Sequence, residues 1–353
     1  MNMVCLFLLR MVRSHALLLR MSLACAMYLV ADTVFAQAAQ EAAPSSAELA
    51  LPSIKITPAR IGPGAKTSMM LAAARAGNRI VAVGEHGVVL LSDSDGQVFR
   101  QAKSVPVSST LNSVNFVDAK VGWAVGHWGA ILKTIDGGET WKLQRSDVKV
   151  DQPLFSVYFK NEHEGWAVGL WSLLLSTRDG GATWNSVSLP KPPGASKADR
   201  NLFCIFPDRS GGLAISAERG TIVRSEDDGK TWAYVDTGYK GSLWAGTVLD
   251  EGTWLAGGLR GSILRSTDQG QSWQASQTGT KSSITQIIQT EDGAVMATGL
   301  DGVVLTSRDK GLTFSTAQRP DRADITAAVI APGGKLVAFS MGGPLKSGSA
   351  ASE

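Results

Sequence analysis

Several side chains in this 353-residue sequence could, by type, do covalent chemistry. A tyrosine becomes a nucleophile when a carboxylate stands behind it and arginines face its substrate. Outside the first 36 residues the tyrosines are Tyr158, in an apolar run, and Tyr234 and Tyr239, which follow a repeated turn motif. None has an activating neighbour in sequence. Glu218 and Asp301 are the carboxylates that could make a glycosidase pair, one protonating a leaving oxygen while the other attacks or activates water. His86, His127 and His163 show neither HxxxH nor HxH spacing, so no two share a face from which to hold a metal. Cys204, within the apolar run Leu202–Phe206, has the context of a buried strand residue. No glycine-rich loop follows a strand and opens a helix, so no phosphate cradle is legible. The residues predict no metal and no cofactor.

The most regular acidic pattern serves another purpose. TIDGGETW (Thr134–Trp141) recurs as TRDGGATW (Thr177–Trp184), SEDDGKTW (Ser225–Trp232), STDQGQSW (Ser266–Trp273), SRDKGLTF (Ser307–Phe314) and a worn SDSDGQVF (Ser92–Phe99). The acids Asp136, Asp179, Asp227, Asp268 and Asp309 can accept hydrogen bonds from backbone N–H groups just ahead of them. Gly138, Gly181, Gly229, Gly270 and Gly311 tolerate the positive φ that closes a tight turn. Trp141, Trp184, Trp232 and Trp273 each offer a ring to bury at the turn's base. These are turn-stabilising residues rather than ligands.

The aromatic ends fall at 99, 141, 184, 232, 273 and 314, a spacing of 41 to 48 residues. That period marks four-stranded propeller blades. Seven segments align, from Arg79–Ser92 to Leu336–Ser347, each with a small-residue strand such as AVG, a short loop and a β-rich strand. The seventh lacks its turn and outer strand, while the alternating run Ile54–Thr57 is left over at the other end. The fold predicted is therefore all-β: one seven-bladed propeller over 52–348, closed by Ile54–Ala59 joining the last blade as its outer strand. The longest interval holds an insertion, Leu189–Asn201, in which Pro192-Pro193-Gly194 argues for a loop and Lys191, Lys197 and Arg200 make it basic.

Before the repeats, Arg10, Arg13 and Arg20 precede an apolar stretch, Met21–Phe35, that ends in Val34-Phe35-Ala36. This pattern predicts a secretory signal over 1–36, preferred to a membrane anchor or a lipidated Cys25, and hence a periplasmic protein. Residues 37–51 and 349–353 read as a disordered leader and tail. The whole chain carries a net charge of +3 with 18% charged residues, and loss of three Arg and Asp32 with the signal leaves +1. Such a balance supplies no field for nucleic acid. Only Cys204 remains after residue 36, so no intrachain disulfide can form.

Propeller geometry singles out one further set. The loop between the second and third strands opens on the face opposite the Asp-containing turns, so equivalent positions should form a ring: His86, Trp128, Trp171, Arg219, Arg260 and Asp301, with Glu85, His127 and Glu218 beside them. Two Trp and two Arg in register are residue types enriched where proteins bind proteins.

Repeated SxDxGxTW turns resemble the Asp-boxes, or bacterial neuraminidase repeats, of sialidases, sortilin-like receptors, some glucanases and the photosystem II stability and assembly factors. Repeats such as GWAVGHWGAILKTIDGGETW (Gly122–Trp141) and GLAISAERGTIVRSEDDGKTW (Gly212–Trp232) are most similar to the last group, over about Ile54 to Ser347. That resemblance implies a non-catalytic scaffold that docks on a membrane-protein complex or its periplasmic loops; the chain is expected to be a monomer. In bacteria such members often accompany inner-membrane exporters, so an envelope transporter is the client class it implies. The competing resemblance is to a sialidase or a carbohydrate-binding propeller; Arg60-Ile61-Gly62-Pro63 is similar to the sialidase Arg-Ile-Pro signature, with Gly inserted.

Overall fold

The structure, a computed structural model, describes residues 55–208 and 211–346. The expected signal, leader and tail lie outside them. Seven antiparallel sheets follow one another along the chain. Blade 1 is β1 (Met70–Ala76), β2 (Arg79–Gly84), β3 (Val89–Ser92) and β4 (Arg100–Gln101); blade 2 is β5 (Leu111–Phe116), β6 (Gly122–Gly126), β7 (Ile131–Thr134) and β8 (Lys142–Arg145). Blade 3 is β9 (Leu154–Phe159), β10 (Gly165–Gly169), β11 (Leu174–Thr177) and β12 (Asn185–Ser186); blade 4 is β13 (Leu202–Pro207), β14 (Leu213–Ala217), β15 (Thr221–Ser225) and β16 (Ala233–Asp236). Blade 5 is β17 (Leu243–Val248), β18 (Trp254–Gly258), β19 (Ile263–Ser266) and β20 (Gln274–Ala275); blade 6 is β21 (Ile284–Gln289), β22 (Val295–Gly299), β23 (Val303–Ser307) and β24 (Ser315–Gln318). Blade 7 is β25 (Ala327–Ile330), β26 (Leu336–Ser340) and β27 (Gly343–Pro344). The first strand of every blade packs on the first strand of the next, and β25 packs back on β1, so these seven surround a central channel.

The core lies between blades. Second strands are buried along nearly their whole length, and their central position is Ala82, Ala124, Ala167, Ala256, Ala297 or Ala338, with Ile215 in blade 4. A small side chain there lets neighbouring sheets approach, and large ones fill the gaps beside it. Trp123 of blade 2 stacks on Phe159 of blade 3 with ring centroids 3.4 Å apart. At the seam between last and first blades, Phe99 meets Phe339 edge to face at 5.4 Å within a cluster that includes Met70, Leu90 and Val329.

Each box forms the expected turn. In blade 2, Thr134 Oγ1 donates to Asp136 Oδ1 at 2.8 Å and accepts from the amide of Gly138 at 3.0 Å. Asp136 accepts from the amide and hydroxyl of Thr140, and the Trp141 indole donates to the Gly138 carbonyl. The boxes around Asp179, Asp227, Asp268 and Asp309 repeat the hydroxyl and amide bonds. In blade 1 Ser94 replaces the acid and its hydroxyl takes over the amide of Val98. The indole of Trp184 departs from the pattern: its buried N–H has no partner among the described residues.

The closure differs from the sequence expectation. Blade 7 has three strands among the described residues, and Lys55–Ala59 forms no strand. Ala59 instead donates to Val105 O at 3.0 Å, Gln101 Nε2 donates to the Arg60 carbonyl, and Ala59 is buried with Val81, Val105 and Val107 at the junction of blades 1 and 2. Pro58 brings no N–H to a ladder. The place beside β27 is taken by a 3-10 turn, Pro63–Thr67, which approaches so closely that a Cβ on Gly343 would lie 2.1 Å from Lys66 O. The N-terminal segment still spans the seam, as a strap rather than a strand. A chain beginning at Ser68 is therefore expected to lose roughly 2 kcal/mol against one beginning at Ser53, from its backbone hydrogen bonds and buried alanines. Equal melting temperatures for the two would show that the strap contributes nothing.

Candidate functional site

The connection between second and third strands has one geometry in blades 1 to 6. Its two central residues both have positive φ, beginning with His86 (57°), Trp128 (58°), Trp171 (53°), Arg219 (56°), Arg260 (55°) and Asp301 (59°). Glycine follows in five blades and Ser172 in blade 3. This is the type I′ hairpin turn, whose twist matches that of the flanking strands and which favours Asn, Asp or Gly at its first central position. Only Asp301 obeys that preference. A bulky residue there costs about 1–2 kcal/mol, so tryptophan and arginine are held on the tips of these turns against local preference.

Two sets of bonds hold them. The residue before each tip donates its amide to the carbonyl preceding or opening the blade's first strand: Glu85 to Met69, His127 to Thr110, Leu170 to Pro153, Glu218 to Asn201, Leu259 to Ser242 and Leu300 to Ser283. That close approach explains the glycine ending most second strands, since a Cβ on Gly126 would sit 2.0 Å from Thr110 O. The crossing to the next blade then holds the turn: the amide of Asp147 donates to Trp128 O, that of Trp171 to Asn201 Oδ1 at 3.1 Å, and that of Asp301 to Asp324 Oδ1 at 2.7 Å. The basic insertion takes part through its end, where the Arg200 carbonyl accepts from the amide of Ser172.

The fold thus puts all six rim residues at one position of one turn on one face. His86, Trp171, Arg219, Arg260 and Asp301 are exposed, Trp171 at 57%, and Trp128 is half-buried. Among the described residues nothing bonds to the guanidinium of Arg219 or Arg260. Asp301 is engaged, accepting from Ser282 Oγ at 3.0 Å and facing Arg322 at 3.5 Å. The companion residues are structural: Glu85 accepts from the amide of Met69, Glu218 accepts from the amide and side chain of Asn201, and His127 is held below its ordinary pKa by burial, opposed by Asp151.

Most side chains that could do covalent chemistry are engaged within the fold. Glu218 and Asp301 stand on blades 4 and 6 with their oxygens already bonded. Tyr158 stacks on Trp166, its phenol pushed up by burial, and Tyr239 donates to Leu259 O. His86 and His127 are on the rim face, and His163 is on the box face beside Gly180. Cys204 is half-buried, and burial pushes its thiol up to about 11, away from the thiolate form.

A second set on the rim face escaped the sequence reading. In six blades the first strand carries a β-bulge at this end, so one residue is skipped by the pairing: Leu71, Asn112, Phe155, Phe203, Trp244 and Thr285. Each follows the opening apolar residue of its strand, but nothing in composition marks a bulge.

The family model described as Photosynthesis system II assembly factor YCF48 matches residues 95–246, which agrees with the resemblance read from the repeats. A search of curated proteins finds no match. Among solved structures, "YCF48 bound to D1 peptide" is 17% identical with a TM-score of 0.63, covering 83% of this chain and 96% of its own. YCF48 from Cyanidioschyzon merolae is 14% identical with a TM-score of 0.60, covering 82% of this chain and 97% of its own. The WD40 repeats of RRP9 are 11% identical with a TM-score of 0.61, covering 81% of this chain and 90% of theirs. So similar a score for a WD40 protein means that the structural likeness establishes the propeller and nothing finer.

Proposed function

We propose that this chain is an exported, non-catalytic scaffold, monomeric and periplasmic, whose rim face grips a periplasmic segment of a membrane-protein complex, with an envelope transporter as the client class. The observation that carries this reading is the rim itself, above all Arg219 and Arg260. They project from adjacent blades on strained turns, with forked donors that nothing among the described residues uses. Strain of this kind persists where the surroundings enforce it, and it clusters at functional sites. Trp128 and Trp171 on the two preceding blades add aromatic area, the combination that dominates protein interfaces. The reading is supported by similarity to an assembly-factor family, one solved member of which is described as bound to a peptide.

The test is capture from crosslinked membranes of the native host with intact protein and with Trp171→Ala, Arg219→Glu and Arg260→Glu. The tryptophan change is expected to weaken the complex by about 1–3 kcal/mol with the fold intact. The charge reversals are expected to act mainly by slowing association, an effect that is largest at low salt and shrinks as salt screens the rim charges. A partner retained by the triple variant but lost on deleting residues 191–197 would move the docking site to the basic insertion. Hydrolysis of a fluorogenic glycoside, abolished by Glu218→Gln or Asp301→Asn, would sink the non-catalytic reading.

A further inference from the structure

Apart from the aliphatic Leu71 of blade 1, the bulge residues divide into two kinds. Where they are polar they work within the ring: Asn112 Nδ2 donates to Leu154 O at 2.8 Å and Thr285 Oγ1 to Ile325 O at 2.8 Å, each capping the opening carbonyl of the next blade. Thr326 of blade 7 does the same for Met70 O. On three consecutive blades the residue is instead a large aromatic, Phe155, Phe203 and Trp244. All three are half-buried, and none joins the apolar clusters between blades. The rings of Phe155 and Phe203 stack across the blade boundary at 5.8 Å.

Their position follows from topology. Leu154, Leu202 and Leu243 pair with Gly169, Ala217 and Gly258, the residues that lead into the rim turns. Being on the innermost strands, the aromatics stand at the rim end of the central channel, inside the arc of Trp171, Arg219 and Arg260. Bulges commonly re-aim a side chain in this way. With aromatics in place of Asn or Thr, the carbonyls of Leu202, Leu243 and Ile284 also receive no side-chain donor among the described residues. The patch therefore joins apolar rings to peptide carbonyls that no side chain among the described residues caps, and the guanidinium donors of Arg219 and Arg260 lie just outside it. That mixture is complementary to an extended polypeptide with N–H groups, acidic or carbonyl acceptors and one large apolar side chain, and not to a lipid tail.

We infer that Phe155, Phe203 and Trp244 form a collar at the channel mouth that receives one bulky apolar side chain of the segment bound by the rim, and thereby set the partner's sequence preference. The inference rests on the peptide-binding reading above and is tested separately from it. The ring supplies its own conservative variants, Phe203→Asn and Trp244→Thr, because Asn112 and Thr285 occupy the same bulge in other blades. The probe is a displayed library of random 12-residue peptides, selected on the intact chain.

Selected peptides are expected to share one Phe, Leu, Met or Trp position. Affinity for a selected peptide should fall about tenfold or more with either collar variant. Replacing that apolar residue by serine should cost the intact protein as much, and cost the collar variant little further. Peptides without an apolar position, or binding that survives the collar variants at unchanged melting temperature, would overturn the collar and leave the rim reading standing. Binding lost with the collar variants but kept by Arg219→Glu/Arg260→Glu would do the reverse. A library from which the intact chain selects nothing would overturn both.

Discussion

Trp123→Ala is expected to destabilise the protein by about 3–5 kcal/mol and to lower its melting temperature on the order of 10 °C. The indole is wholly buried, stacked on Phe159 of the neighbouring blade, and its N–H reaches Gly180 O at 3.3 Å, inside the next blade's box turn. Lys133 covers it, with Nζ 4.9 Å from the ring and bonded to the same carbonyl. One side chain thus joins two sheets and a turn, and alanine would leave a cavity that two hydrogen-bonded strands cannot collapse to fill. Because Trp123 and Phe159 touch, a double-mutant cycle should show coupling of roughly 1 kcal/mol or more. Additive losses, or a melting temperature within about 2 °C of the parent, would mean the blades are not joined there as described.

The second large effect is a loss of stability in acid. The carboxylates of Asp179, Asp227, Asp268 and Asp309 are each held down at about 2. For Asp179 and Asp309 the foremost cause is the hydroxyl of Thr183 or Thr313, for Asp227 the amide of Thr231, and for Asp268 the hydroxyl of Ser266. An unfolded aspartate titrates near 3.9, so between about pH 4 and pH 2 the unfolded chain binds more protons than the folded one. The stability the boxes supply is complete above that window and declines through it as pH falls, in four places at once. Asp227→Asn should therefore lower stability at pH 7, and its gap from the parent should narrow by pH 2.5, where the unfolded parent's carboxylate is already protonated. Denaturant unfolding of both proteins at the two pH values measures this; a gap of constant size would show that the charge on Asp227 is not what the turn uses.

Features with a local chemical signature were readable before any coordinates. A hydroxyl, an acid and a glycine at fixed offsets specify a turn by themselves, so the boxes and the blade count followed from spacing alone. The rim positions followed as well, because His86, Trp128, Trp171, Arg219, Arg260 and Asp301 are fixed by their distance from the boxes. What failed lacked such a signature. Ile54–Thr57 alternates like a strand, but its neighbours Pro58 and Pro63 and the room beside β27 decide where the chain goes. Glu85 and Glu218 look like free rim acids, and only the folded backbone shows the amides of Met69 and Asn201 beneath them. Phe155, Phe203 and Trp244 are ordinary strand residues in sequence until the bulge turns them out of the ladder.

The strapped seam between blades 7 and 1 also governs how the ring can form. Each of the other blade boundaries joins neighbours along the chain, whereas the hydroxyl of Thr326 meets Met70 O across 256 residues. A loop that long closes at an entropic cost that grows only slowly with length, yet no contact at the seam can reward the search until both ends are structured. Blades 2 to 6 can assemble by accretion; the inner face of blade 1, with Met70, Ile80 and Leu90, must wait uncovered for the last blade to arrive. Closure is then expected to be the late step of folding, and the uncovered face of blade 1 the surface most open to misassembly before it.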